Sequence, residues 1–206
     1  NLEKEGFANF DCTLALVGDV MYDAVLYYRK KIETHATVIQ NQKLTGKPFI
    51  LATLHRAENT NDLSRLKQIC EAFNEINQEI TVVLPLHPRT KAFLQKENIP
   101  LHAQIIEPVG YFDMLALLQN CSMVMTDSGG LQKEAYFFDK FCVTLRDQTE
   151  WVELVEVGAN VLAGASKDLI LTHFHKNLNK IIKAEAGLYG DGHAAAKITS
   201  NLLNLR

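Results

Sequence analysis

The chain has 206 residues, 24 acidic against 21 basic, and 47% hydrophobic positions. That length suits one α/β domain and is short for two large ones, and the apolar fraction is enough for a sizeable core, which excludes a disordered chain. A formal charge of −3 without any Lys/Arg run excludes an electrostatic drive toward nucleic acid or an anionic membrane.

Residues 1–10 read as a helix end and a loop, without a start signal of their own, as in a segment cut from a longer chain. Neither a basic-then-apolar leader nor an apolar run of membrane-spanning length is present, so neither secretion nor insertion is expected. Thr13 to Val17 reads as a short strand closed by Gly18. Helical spacing of Val20, Ala24, Tyr27 and Tyr28 predicts one long helix from about Val20 to Leu44. A strand follows at Phe49 to Leu54, then an amphipathic helix over Asp62 to Asn77 with Leu63, Leu66, Ile69, Cys70, Phe73 and Ile76 on one side. Thr81 to Leu84 is a continuous apolar strand, as buried parallel strands are. Next come a helix at Thr90 to Asn98, a strand at Gln104 to Ile106 and a helix at Tyr111 to Gln119.

The stretch around which these elements are organised is Ser122 to Glu134. Strand-forming residues Ser122 to Met125 run into Thr126-Asp-Ser-Gly-Gly130, and helix-compatible sequence follows at once. Ser128 is a good N-cap, and Gly129 and Gly130 leave the first amides of the helix uncovered, so an anion such as a phosphate can approach the backbone. Glu134 lies one turn after Gly130 on the same helix face, where a carboxylate can accept from sugar hydroxyls. The pair points to a nucleotide sugar. A capped helix with glycines kept only for close packing is the bland alternative. A serine hydrolase is the sharp one, because Asp127-Ser-Gly-Gly130 is similar to the nucleophile segment of trypsin-like proteases. That segment belongs to antiparallel barrels, and no Gly-x-Ser-x-Gly elbow is present.

Beyond it lie a strand at Cys142 to Leu145, a helix from about Glu150 to Val157, a strand at Val161 to Leu162, and helices at about Lys167 to Ala186 and Gly192 to Leu203. Strict βαβ alternation implies a Rossmann-like, doubly wound parallel sheet in a single domain over 1–206, with ligands at the carboxyl ends of the strands. The loops at those ends carry His55-Arg-Ala-Glu-Asn59, Pro85-Leu-His-Pro-Arg89, Glu107-Pro-Val-Gly-Tyr111 and Arg146-Asp-Gln-Thr-Glu150. His55, beside Arg56 and Glu58, can donate to a phosphate or act as acid or base. Arg146 can fork onto a phosphate or carboxylate, or instead pair with Asp147 or Glu150. His87, before Pro88, is a helix-start residue in support. Cys12, Cys70, Cys121 and Cys142 lack a Cys-x-x-Cys pair and read as buried reduced thiols of a cytoplasmic protein, so neither disulfide nor zinc is expected. The histidines lack metal-ligand spacing. Without a GxGxxG fingerprint or a Walker A lysine, NAD and ATP are disfavoured, and no cofactor is expected.

In order and spacing, His55–Asn59, Pro85–Arg89, Glu107–Tyr111, Thr126–Glu134, Arg146–Glu150 and Tyr189-Gly-Asp-Gly192 resemble the non-hydrolysing UDP-N-acetylglucosamine 2-epimerases. The resemblance implies the C-terminal half of a glycosyltransferase-B architecture, a homodimer for the full-length enzyme, and UDP or a UDP-sugar as partner. It places Ser128, Gly129 and Gly130 on the diphosphate, Glu134 on the ribose hydroxyls, His55 at the phosphate region near the reacting sugar and Arg146 in the same cleft, with His55 as the catalytic candidate. In many members a Gln and a Phe contact the uracil; the matching positions here are Val109 and Met114. Where many members continue Thr-Glu-Arg-Pro-Glu, this chain has Trp151-Val-Glu153. Both departures leave open a modified UDP-sugar. The family reaction removes the C2 proton, eliminates UDP to a 2-acetamidoglucal and re-adds it on the other face, using carboxylates of the N-terminal domain. This chain alone is therefore expected to bind UDP without turnover. The apolar side of its C-terminal helix (Ile198, Leu202, Leu203, Leu205) is expected to lack its partner. A glycosyltransferase of the same architecture and a non-catalytic nucleotide-sugar module remain open.

Overall fold

In a computed structural model of the protein, residues 2–3, 5–178, 180–183 and 187–204 are described. Six segments free of charged side chains form its strands: β1 (Phe49–Thr53), β2 (Thr81–Pro85), β3 (Gln104–Ile106), β4 (Met123–Thr126), β5 (Cys142–Thr144) and β6 (Asn160–Leu162). They pair in parallel in the order β3-β2-β1-β4-β5-β6. Every residue of β1 and β4 is buried, as a central parallel strand covered on both faces requires. The order reverses between β1 and β4, so the loops leaving these two strands diverge and open a crevice at their carboxyl ends.

The helices are α1 (Val20–Arg29), α2 (Ile32–His35), α3 (Val38–Asn41), α4 (Ala57–Thr60), α5 (Leu63–Glu79), α6 (Pro88–Lys96), α7 (Tyr111–Asn120), α8 (Gly129–Phe137), α9 (Val152–Glu156), α10 (Lys167–Asn177) and α11 (Ala194–Asn204). On α5 the wholly buried Leu66, Ile69, Phe73 and Ile76 recur at helical spacing, each contributing roughly 1.5–3 kcal/mol. Asp62 starts that helix by accepting from the Ser64 and Arg65 amides at 2.9 and 3.0 Å. Among the described residues no helix is long and apolar enough to cross a membrane.

The chain divides into two compact units, residues 28–184 with the sheet, and residues 1–27 with 185–206. In the second, Asp23 accepts from the Ala194 and Ala195 amides at 3.1 and 2.8 Å, a carboxylate at the positive end of α11. Gly18 and Gly190, at φ of +94° and +89°, let two backbones cross. A Cβ on Gly190 would lie 2.7 Å from the Gly18 Cα. On α11, Leu202 and Leu203 are 62% exposed, and Leu205 lies outside the described residues.

Four expectations are corrected. Thr13–Val17 is not a strand: the segment joins no ladder among the described residues, and Leu16 is 98% exposed. The helix expected over Val20–Leu44 is broken into α1, α2 and α3. The Asp113 carboxylate of α7 accepts from the Thr37 and Val38 amides at 2.8 and 3.0 Å and starts α3 afresh, and the His35 ring stacks on Phe112 at 4.6 Å. The helix expected to run to Ala186 ends at Asn177. Past it, Lys180 donates to the Gly158 carbonyl at 2.6 Å and lies over the Phe141 ring, while Ile182 is buried, contacts that a continued helix would forgo; residues 184–186 lie outside the described residues. Finally, α6 begins at Pro88 rather than Thr90, because the His87 ring accepts from the Arg89 amide at 3.2 Å.

The glycine crossing supplies a test. Gly190→Ala must leave its left-handed backbone or push Gly18 away, so a loss of about 1–3 kcal/mol is expected, read as a lower Tm and faster amide exchange in α11. A variant of unchanged stability would contradict the close crossing.

Candidate functional site

The crevice is built from residues in one register row of the sheet. Thr53, Thr126 and Thr144 stand side by side at the ends of β1, β4 and β5. The Thr53 and Thr126 hydroxyls share a hydrogen bond, and Thr126 Oγ1 also accepts from the Ser128 amide at 2.9 Å. This turns the chain out of β4, and Ser128 caps α8 by accepting from the Leu131 amide at 3.5 Å. Among the described residues the amides of Gly129 and Gly130 have no acceptor within the protein. Two unsatisfied N–H groups at the positive end of a helix form a candidate anion seat.

Asp127, between β4 and that cap, is wholly buried. Its carboxylate accepts from the His55 amide at 3.2 and 3.0 Å, the Arg56 amide at 2.8 Å and the Asn59 side chain at 3.3 Å. Its Oδ1 is also 3.3 Å from His55 Nδ1. Asn59 donates in addition to the Leu145 carbonyl at 2.8 Å, tying in the loop after β5. His55 therefore stands beside the Ser-Gly-Gly seat, with its side chain 54% exposed. The Arg56 guanidinium acts electrostatically on Glu150, and its Nη2 is 3.7 Å from where a Cβ on Gly129 would be.

Arg146 is on the same rim but is engaged. Its guanidinium bonds Glu58 at 3.0 Å and both oxygens of Glu150 at 3.0 and 2.9 Å, and its side chain is only 9% exposed. Asp147, offered by the sequence as a partner, pairs with Arg65 instead at 2.9 Å. Glu150 is held below the ordinary carboxylate range, first by its own backbone amide and then by Arg146, against the opposing effect of burial. Trp151, where many members of the resembling family have Arg, donates its indole N–H to the Gly129 carbonyl at 2.8 Å, and the Lys133 ammonium lies 4.2 Å above its ring.

Glu134 is 8% exposed. Burial raises its carboxyl above the usual range, and the Tyr111 hydroxyl and the Lys133 ammonium pull it back. Tyr111, at the start of α7, thus brings the loop after β3 to α8. Val109 is half-buried in that loop, and Met114 is half-buried one turn into α7. His87 caps α6 and makes no contact with the anion seat. Sequence reasoning missed Asp127, Asn59 and Tyr111 as individuals, although all three stood inside motifs it had singled out. An acidic residue directly before an N-cap serine, facing a His-Arg loop, was the available signal for the first. Of the thiols, Cys70, Cys121 and Cys142 are buried and pushed up to about 12 by burial, whereas Cys12 is exposed. Among the described residues no group of three or more His, Cys, Asp or Glu is placed to hold a metal.

Residues 1–203 match the UDP-N-acetylglucosamine 2-epimerase family. The chain belongs to that family. Among its relatives, a UDP-2,3-diacetamido-2,3-dideoxy-D-glucuronate 2-epimerase of Pseudomonas aeruginosa is 48% identical over all of this chain and 57% of its own length. A UDP-N-acetylglucosamine 2-epimerase homolog of Methanococcus maripaludis is 42% identical, over all of this chain and 58% of that protein. In three dimensions the chain is similar to a Methanocaldococcus jannaschii UDP-GlcNAc 2-epimerase crystallised with UDP-GlcNAc and UDP. The TM-score is 0.85 at 36% identity, over 98% of this chain and 57% of that one. The chain thus spans a little over half the length of the relatives it matches.

The raised Glu134 carboxyl fixes the sign of a pH effect. A folded-state value above the unfolded one means that the native state binds the extra proton, so stability falls as pH rises from the ordinary carboxylate range through the raised folded-state value. Glu134→Gln is expected to melt higher than the parent near pH 7, with the gap closing as pH falls toward about 4. Parallel melting curves at both pH values would contradict the burial.

Proposed function

We propose that this chain is the UDP-binding part of a cytoplasmic, homodimeric UDP-sugar 2-epimerase. The observation that carries the reading is the pair of unsatisfied amides at Gly129 and Gly130, at the switch point of a 3-2-1-4-5-6 sheet, with a buried carboxylate one turn further on. In this reading Ser128, Gly129 and Gly130 seat the diphosphate and Glu134 accepts from the ribose diol. Val109 and Met114 border the uracil, which backbone groups of the 107–110 loop can read. His55 meets the phosphate nearest the reacting sugar. Arg146 acts through the two carboxylates it orders, Glu58 and Glu150, or exchanges one of them for the ligand's anion. Developing negative charge on the departing diphosphate is what such a site stabilises.

The carboxylates that move the C2 proton belong, by the family resemblance, to the N-terminal domain, onto which α11 would lay its exposed Leu202 and Leu203. UDP binding without C2 exchange is therefore expected of these 206 residues. A titration with UDP, and incubation with UDP-GlcNAc in deuterated water, test both halves: absence of binding, or deuterium at C2, would each overturn the corresponding half.

A second reading is favoured by the 48% identity to the diacetamido-glucuronate enzyme and by Val109, Met114 and Trp151 at positions where many members differ. Under it the sugar is a UDP-2,3-diacetamido-glucuronate, and that nucleotide sugar competes for the site better than UDP-GlcNAc.

A Cβ on Gly129 would sit 3.5, 3.6 and 3.7 Å from Glu150 Oε2, Trp151 Nε1 and Arg56 Nη2, so the first carbon is already in van der Waals contact and a longer side chain has to displace these groups or cover the amides. Gly129→Leu is expected to weaken UDP binding by tenfold or more, on the order of 1.4 kcal/mol or above, in an isothermal titration. Unchanged affinity would remove the anion seat from the reading.

A further inference from the structure

We propose that Asp127 is a positioning residue that holds His55 with its proton on Nδ1 and so leaves Nε2 as the nitrogen that meets the ligand's phosphate. The inference rests on the role proposed above for His55 and adds to it which ring nitrogen acts and what selects it.

A carboxylate can only accept, so a ring nitrogen brought against it is more stable carrying the hydrogen than presenting a bare lone pair. Asp127 Oδ1 lies 3.3 Å from His55 Nδ1. The same carboxylate also takes the His55 amide, at 3.0 Å to Oδ2, so both the backbone and the ring of that residue are referenced to one buried group. That group cannot swing: the Arg56 amide at 2.8 Å and the Asn59 side chain at 3.3 Å occupy its other lone pairs, and it is shielded from water. A free histidine in water prefers the proton on Nε2, so a fixed Nδ1–H tautomer is a departure that the fold imposes. In the neutral ring Nε2 then offers a lone pair to a ligand hydroxyl or protonated phosphate. In the protonated ring Nε2–H donates to a phosphate oxygen, while Asp127 balances the charge without taking the proton. Asp127 also directly precedes Ser128, so the histidine and the anion seat share one anchor and keep their spacing.

Long-range proton–nitrogen correlation spectra of the histidine-15N-labelled chain, recorded with the rings neutral, test this. The His55 signals are identified by their loss in His55→Gln. A protonated Nδ1 and a bare Nε2 are expected; the opposite pattern would overturn the proposal without any variant of Asp127. Asp127→Asn, whose amide can present either an oxygen or an N–H to the ring, is expected to shift the population toward Nε2–H and to weaken UDP on the order of tenfold. Adding UDP to the parent chain separates this from the reading it rests on. Nε2 is expected to move while Nδ1 stays protonated; if Nε2 stays still with Nδ1 protonated, the tautomer assignment is upheld and the place of His55 in the UDP site is lost.

Discussion

A carboxylate taken wholly out of water costs several kcal/mol unless donors replace its hydration, and Asp127 is in that position at the end of the central strand. The donors come from residues 55, 56 and 59, across the switch point of the sheet. Satisfying one buried charge therefore folds the loop after β1 over the loop after β4. Asn59 extends the same constraint to the end of β5 through the Leu145 carbonyl, and Arg65 continues it from Asn59 to Asp147. Three loops that are remote in sequence are thus tied to each other by hydrogen bonds.

A second polar chain braces the far side of the anion seat. Gln132 of α8 accepts from Thr149 at 2.7 Å and from Asn160 at 2.9 Å, and Asn160 accepts from Thr144 at 2.7 Å. The amide nitrogen of Gln132 returns to the Ser128 carbonyl at 3.3 Å. Buried networks of this kind specify one arrangement, because each unsatisfied member would cost more than an apolar replacement. The strands carry no charged side chain, and β1, β4 and β5 each end in a threonine, so the ionisable groups collect in the loops beyond that row.

Much of this was legible in the residues. Strand segments were found because parallel strands buried on both faces leave continuous apolar runs, and Gln104–Ile106 was placed to the residue. The Ser128 cap and the two glycines were legible because capping is local chemistry. What failed was non-local. Nothing within residues 20–44 announces that Asp113, some seventy positions away, will start a new helix at Val38. The spacing of residues 167–186 likewise cannot show that Lys180 finds the Gly158 carbonyl. Thr13–Val17 has strand composition but no partner strand. Arg146 was recognised as a rim residue, while its engagement with Glu58, 88 positions distant, needed the fold.

The departure at Trp151 has a practical side. It is the single tryptophan of the chain, so the intrinsic fluorescence of the protein comes overwhelmingly from one indole. That indole is bonded to the carbonyl of the first helical glycine and lies under the Lys133 ammonium, a cationic neighbour to which excited indoles are sensitive. The field across the ring depends on the charges beside it, so an anion placed against the adjacent amides would be open to optical readout with no label attached.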